Sequence, residues 1–309
     1  MTISFYEAMT AAALGCFERC GVEFGVLEVG LGGRLDATTA VSVDASILTT
    51  VELEHTELLG DTVEAIAREK VPIFRPGKPA IVGVEHGPAL RVAEQRAREI
   101  EAELWVSGRD FVAEPRYEGA DLVVQLRGPG AECSVRVPGG APLYEARALA
   151  LAWACLRALD REQLVAGEFT VPRAFAPCCF EVFEHGDQSL VLDGAHTEAS
   201  VALLLAEVDR RFGARARLNL LFGCAAGKRW KQMLALLAPR CDAMFIAPVE
   251  GTASTDPAEI VADLAERGIT ATPVDGAAAG IEQLLRAEGL GLVAGSFYLA
   301  GASRGLVGR

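Results

Sequence analysis

Three positions in the first quarter of the chain have the residue types and spacing for metal or phosphate chemistry. An apolar stretch, Val26 to Val29, carries a single carboxylate, Glu28, straight into a three-glycine turn in the run Val26-Leu-Glu-Val-Gly-Leu-Gly-Gly-Arg-Leu-Asp-Ala-Thr38. A glycine turn after a strand lets backbone approach a phosphate or a metal closely; its plainer use is a tight turn needing positive φ. A second strand end, Val51-Glu-Leu-Glu-His-Thr-Glu-Leu-Leu-Gly60, sets His55 among carboxylates. A lone histidine is more often structural, but two acidic strand ends in one sheet predict a shared divalent-metal site. Lys70 closes Glu64-Ala-Ile-Ala-Arg-Glu-Lys-Val71, where a lysine ordinarily meets solvent and the helix dipole.

The elements that must position these groups alternate. Tyr6 to Cys20 reads as an amphipathic helix, Phe24 to Val29 as a short apolar run ending in glycines, and Ala45 to Val51 as a strand. A helix over Thr62 to Lys70 stops at Pro72, and a buried strand Pro79 to Val84 precedes a helix Ala89 to Glu99. Asp121 to Leu126 and Glu132 to Val137 read as antiparallel additions, and Ala146 to Leu159 as an apolar helix ending the unit. Val165 to Pro177 carries the loop residues of a linker. A second alternating series follows: strands at Leu190 to Leu192, Leu218 to Phe222, Ala243 to Ile246 and Leu290 to Ala294, with helices at Ala199 to Phe212, Trp230 to Leu237 and Asp256 to Arg267. Two doubly wound α/β domains are expected, 1–170 and 171–309, with ligands beyond the carboxyl ends of the strands.

Composition excludes several classes of partner. The 309 residues are 51% apolar, and 29 Lys and Arg stand against 42 Asp and Glu, a net charge of −13. Such a chain repels phosphate backbones and anionic lipid, so neither nucleic acid nor membrane is expected as a partner. No run approaches the ~20 apolar residues of a membrane span. Eight cysteines lack both the pairing of a zinc site and the density of a disulfide scaffold, and read as reduced, mostly buried thiols of a cytoplasm.

Taken together, the motifs Glu28-Val-Gly-Leu-Gly-Gly-Arg-Leu-Asp-Ala-Thr38, His55-Thr with Leu59-Gly60, and Ile66-Ala with Glu69-Lys70 resemble the folylpolyglutamate synthase and dihydrofolate synthase branch of the Mur ligases. The resemblance continues through Leu192-Asp-Gly-Ala-His196 and Gly295-Ser-Phe-Tyr-Leu-Ala-Gly301, spanning essentially the whole chain. It implies a Mur-ligase-type central domain followed by a Rossmann-like Mur ligase C-terminal domain. It implies an ATP-dependent ligase that makes an acyl phosphate from a folate or pteroate carboxylate, which the amino group of glutamate then attacks. By the same resemblance Glu28 and His55 bind magnesium, Lys70 is carbamylated and catalytic, and Asp193, His196 and Lys228 meet ATP. A carbamate is an anion and supplies an oxygen ligand for a hard cation.

The sequence also departs from that pattern. No G-x-x-x-x-G-K-[ST] phosphate loop occurs in the chain, and Met1 matches a point inside the family's fold, so the central domain is expected to be incomplete. Pro177-Cys-Cys179 stands for the family's Pro-Gly-Arg, Asp193-Gly-Ala-His-Thr197 for DGAHN, Gly227-Lys-Arg229 for Asp-Lys-Asp, and Gly140-Ala-Pro-Leu-Tyr-Glu145 for the His-Gln…Asn signature. Three readings stay open: a ligase with further sequence ahead of Met1, a non-catalytic relative that binds a ligand or partner, and a subunit whose nucleotide half is a separate polypeptide. Glu28, His55 and Lys70 are expected to converge at the carboxyl edge of the first sheet. The incomplete sheet predicts an oligomer or a partner chain covering its apolar faces.

Overall fold

The computed structural model describes residues 3–161, 166–172, 176–186, 188–214 and 216–307. The chain divides into two compact units, Met1–Pro172 and Arg173–Arg309.

The first unit begins with α1 (Phe5–Cys20), closed at its start by a reciprocal Ser4–Glu7 capping box and at its end by left-handed Gly21. None of its residues is buried: Phe5 is 82% and Met9 53% exposed. The following stretch, read from sequence as a strand through Val29, forms no strand, and Val26 is 90% exposed. Its strand-forming residues have no neighbour to pair with, and a β-ladder needs two partners.

A parallel sheet follows, in the order β1 (Ser46–Leu48), β2 (Pro79–Val82), β3 (Glu103–Val106). Between its strands run α2 (Thr56–Leu59), α3 (Val63–Lys70) and α4 (Gly87–Glu99). Successive side chains of β2 face opposite ways. Ala80 and Val82 pack with Ala67, Val92 and Ala93 of α3 and α4, whereas Ile81 packs with α5 (Glu145–Ala158). The other side of α5 meets a mixed sheet, β4 (Val112–Glu118), β5 (Asp121–Gly128), β6 (Ala131–Val137) and β7 (Gly167–Thr170). There Leu122, Val124, Leu126, Cys133, Val135 and Val137 close on Ala150, Trp153 and Ala154. β4, β5 and β6 pair antiparallel, and β7 joins β6 in parallel. β7 lies inside the expected linker, part of which (Val165 and 173–175) falls outside the described residues.

The second unit is one six-stranded sheet in the order β12-β11-β10-β13-β9-β8. Its strands are β8 (Glu181–His185), β9 (Gln188–Leu192), β10 (Leu218–Phe222), β11 (Cys241–Ile246), β12 (Thr272–Pro273) and β13 (Leu290–Ala294). All pairs are parallel except β8 with β9, a hairpin at the edge. The helices are α6 (Glu198–Phe212), α7 (Trp230–Leu237), α8 (Pro257–Glu266), α9 (Ala277–Arg286) and α10 (Phe297–Val307). The fully buried runs of β10 and β13 are those of strands covered on both faces.

The cysteines correct one expectation: Cys16 and Cys20 are exposed, Cys133, Cys178 and Cys224 are buried, and the other three are intermediate. Burial pushes the Cys133 and Cys178 thiols up to about 11 and Cys241 to about 12, which keeps them protonated and inert near neutral pH. No described helix is long and apolar enough to cross a membrane.

Candidate functional site

In the first unit the glycine turn is organised by a residue the sequence reading passed over. Asp36 accepts the amides of Gly30 and Leu31 on one carboxylate oxygen (3.0 and 3.3 Å), and the amide and hydroxyl of Thr38 on the other (2.9 and 2.6 Å). The Asp-x-Thr spacing ahead of a helical turn is a capping signal, and it was there to be read. Burial pushes the Asp36 carboxyl up, but its bonds to Thr38, Leu31 and Gly30 outweigh that and hold it below the ordinary value. The same turn docks on the end of α3. The Arg34 amide donates to the Glu69 carbonyl (3.0 Å), its guanidinium grips the Glu69 carboxylate (3.1 and 3.0 Å), and a Cβ on Gly33 would stand 2.8 Å from the Lys70 carbonyl oxygen. Gly33 therefore serves close packing on α3.

Because the folded Asp36 value is depressed, its contribution is complete above the unfolded value near pH 4 and is lost as pH falls through the folded value. Asp36→Asn should cost this turn about 1 kcal/mol, the difference between charged and neutral acceptors. Amide exchange checks both points: protection at Gly30, Leu31 and Thr38 should fall in the variant at pH 7, and in the native chain below pH 4. Protection equal in the two chains at pH 7 would remove Asp36 as the organiser.

The expected magnesium residues Glu28 and His55 and the expected catalytic Lys70 lie on three separate segments of the first unit. Glu28 is exposed, and its backbone carbonyl accepts the Tyr6 hydroxyl at 3.0 Å. His55 sits in the left-handed region (φ 52) between Glu54 and Glu57, at 3.7 and 3.8 Å. Lys70 ends α3. Among the described residues no group of three or more His, Cys, Asp or Glu is arranged to hold a metal. Magnesium keeps several waters and is held through one or two protein carboxylates, so a site of that kind needs fewer than three such side chains.

The second unit gathers its residues better. β9, β13 and β10 are consecutive and parallel, so the loops after them leave the same edge of the sheet. Asp193 follows β9, and its two carboxylate oxygens accept the amides of Ala195 (2.7 Å) and Phe180 (2.8 Å). It thereby fastens the turn at Cys178–Phe180, where Cys178 and Phe180 both have positive φ, to the loop of His196. The Cys178 carbonyl accepts the Gly194 amide at 2.7 Å, and the Gly295 amide donates to Ala195 at 2.8 Å.

His196 Nδ1 lies 2.9 Å from the Gly194 carbonyl, which can only accept, so the neutral ring carries its proton on Nδ1 and its lone pair on Nε2. Phe297, which sequence reading did not single out, meets the His196 ring edge to face at 5.8 Å. Thr197 caps α6, trading hydrogen bonds with Ser200. Asn, Ser and Thr all serve that purpose, so the change from DGAHN is accommodated. Lys228 is half-buried in the turn after β10. Asp193 and His196 thus share one loop, and Lys228 lies on another at the same edge.

Residues 180–297 match the model of the Mur ligase glutamate ligase domain. A Haloferax volcanii protein described as a probable bifunctional folylpolyglutamate synthase/dihydropteroate synthase is 33% identical over 98% of this chain and 36% of its own length. The chain thus spans about a third of that relative. E. coli FolC, solved in complex with DHPP and ADP, is 26% identical with a TM-score of 0.81, covering 99% of this chain and 71% of that one. Mycobacterium tuberculosis folylpolyglutamate synthase, complexed with ADP and AMPPCP, shares the fold at a TM-score of 0.85 and 22% identity, covering 99% and 73%. The order of the motifs, the strand-end loops and these likenesses agree, and the chain belongs to the folylpolyglutamate synthase/dihydrofolate synthase family of the Mur ligases.

Proposed function

We propose that this chain supplies the two-unit scaffold of a folylpolyglutamate synthase-type carboxylate–amine ligase and that its 309 residues alone do not turn over ATP. The observation that carries the reading is the 33% identity to the Haloferax relative across 98% of the chain, which includes the strand-end loops at Asp193–Thr197 and Gly295–Phe297. In such a reaction the γ-phosphoryl group of ATP passes to a folate or pteroate carboxylate, giving an acyl phosphate and ADP. The glutamate amine then attacks the acyl carbon, phosphate leaves, and an amide remains. Here His196, with its lone pair on Nε2 and its ring held by Gly194 and Phe297, is the group to orient a substrate at the second sheet edge. Asp193 acts one step back, holding that loop by two backbone amides.

Phosphoryl transfer needs cations and amides already placed where charge develops, and each lost donor costs about 3 kcal/mol of barrier. The chain has no phosphate-loop motif, and Cys178–Cys179 offers no fixed charge where the family has arginine. The reading of a non-catalytic relative is favoured by the commitment of both Asp193 oxygens to backbone. One assay addresses both: ADP release that depends on folate and glutamate, from the purified chain and from Lys70→Ala, with AMPPNP binding measured alongside. Background release with measurable AMPPNP binding is expected. Release near one per second that vanishes in Lys70→Ala would overturn the inactivity, and the absence of any nucleotide binding would favour the non-catalytic relative.

A further inference from the structure

Arg147, in the first turn of α5, reaches the carboxyl edge of the first sheet. Its Nη2 donates to the carbonyl of Thr49 at 3.1 Å and to that of Gly83 at 2.6 Å. These carbonyls lie just past the last residues of β1 and β2. They stand close enough to share one nitrogen because residue 83 lacks a side chain: a Cβ there would be 2.4 Å from the Thr49 oxygen.

The guanidinium is thus held by two neutral acceptors. Arg34, Arg68, Arg109, Arg127 and Arg136 of the same unit each pair with a carboxylate, whereas Arg75, like Arg147, is held by backbone carbonyls, those of Pro72, Thr39 and Val41. Among the described residues no carboxylate pairs with Arg147, its Nη1 and Nε make no hydrogen bond, and the residue is exposed. Glu85, two residues past Gly83, accepts the Ser107 hydroxyl at 2.9 Å. A full positive charge with donors to spare therefore sits where ligands of parallel sheets bind.

We propose that Arg147 is an oxyanion anchor, its spare N–H groups taking a phosphate or carboxylate group of a ligand seated at the carboxyl ends of β1 and β2. With Nη2 engaged by both carbonyls, Nη1 and Nε each offer a single charge-assisted bond to an oxygen of either group. The two backbone acceptors fix the guanidinium plane before the ligand arrives, which lowers the entropy lost on binding. The chain's overall charge of −13 works against any anion at long range, so the gain comes only from direct contact.

The anchor stands apart from the ligase reading, since inorganic phosphate alone tests it while folate-dependent ADP release tests the other. Calorimetric titrations of the 309-residue chain at low ionic strength, with inorganic phosphate, AMPPNP and L-glutamate, provide the measurement. The native chain should bind at least one probe, and Arg147→Gln should weaken that binding about tenfold, the worth of one charge-assisted pair. Arg147→Lys keeps the charge but loses the guanidinium plane held by two carbonyls, and should fall between. Binding of phosphate and AMPPNP assigns a phosphate ligand; binding of L-glutamate alone assigns a carboxylate. Absence of binding by the native chain, or binding unchanged in Arg147→Gln, overturns the proposal. Should Arg147→Gln fail to fold, Arg147→Lys decides it in the same way: weakened binding supports the anchor and unchanged binding overturns it.

Discussion

Arg304→Met should lower the urea midpoint of the second unit, because it strands the buried carboxylate of Glu181. Glu181 is only 7% exposed at its side chain, and Arg304 Nε meets both of its oxygens at 2.9 and 2.8 Å. Without the guanidinium, that carboxylate keeps the amide of Cys178, at 3.1 Å, as a donor. Arg304 is itself 44% exposed, so water reaches the gap and moderates the cost. Urea denaturation followed by amide exchange in β9 and β13 reads the change. Adding Glu181→Gln should recover most of it, because a neutral amide no longer has to be buried as an ion. A single variant with the urea midpoint of the native chain would show the pair to be a surface ornament.

In the first unit the largest effect should come from Gly83→Ala, at about 2–3 kcal/mol. The new methyl would sit 2.4 Å from the Thr49 carbonyl oxygen and 3.2 Å from Leu151 Cδ1. The leucine can turn aside, but the carbonyl belongs to the backbone. It cannot retreat without breaking the bond from the Gly83 amide to Leu48 at 2.8 Å. Relief by moving β1 away from β2 would also spread the two acceptors of Arg147. At roughly 2–4 °C per kcal/mol, the unit should melt about 4–12 °C lower, measurable by circular dichroism. An unchanged melting temperature would mean that the strand ends are looser than their geometry implies.

The sequence announced the second unit far better than the first. Leu218–Phe222, Trp230–Leu237 and Leu290–Ala294 are apolar runs with clear ends, and their extents agree with the structure. Burial on both faces makes such runs self-evident. Val26–Val29 has the same composition but no partner, and strand-forming residues without a neighbour do not make a strand. β7, β8, α9 and α10 escaped notice: each is short or rich in small residues, and tertiary pairing sets its form.

The candidate site divides in the same way. Asp193 and His196 were legible because they are three residues apart in one motif, and the fold keeps them in one loop. Arg147 was not, since its two acceptors lie 98 and 64 residues away in sequence. No local pattern encodes a contact of that kind. Asp36 falls between, as its role is local but was overshadowed by the glycines beside it.

The uncovered helix α1 has a colloidal consequence. Ile3, Phe5, Met9, Phe24 and Val26 present apolar surface to water, while the molecule as a whole carries −13. In dilute buffer the like charges hold molecules apart before those surfaces can touch. Raising ionic strength to 1 M shortens the screening distance from about 10 Å to about 3 Å, while the apolar attraction persists. Salt therefore removes the repulsion and leaves the attraction, so the 309-residue chain should grow less soluble as salt rises. That loss of solubility should trace to this N-terminal apolar surface, where α1 buries none of its residues.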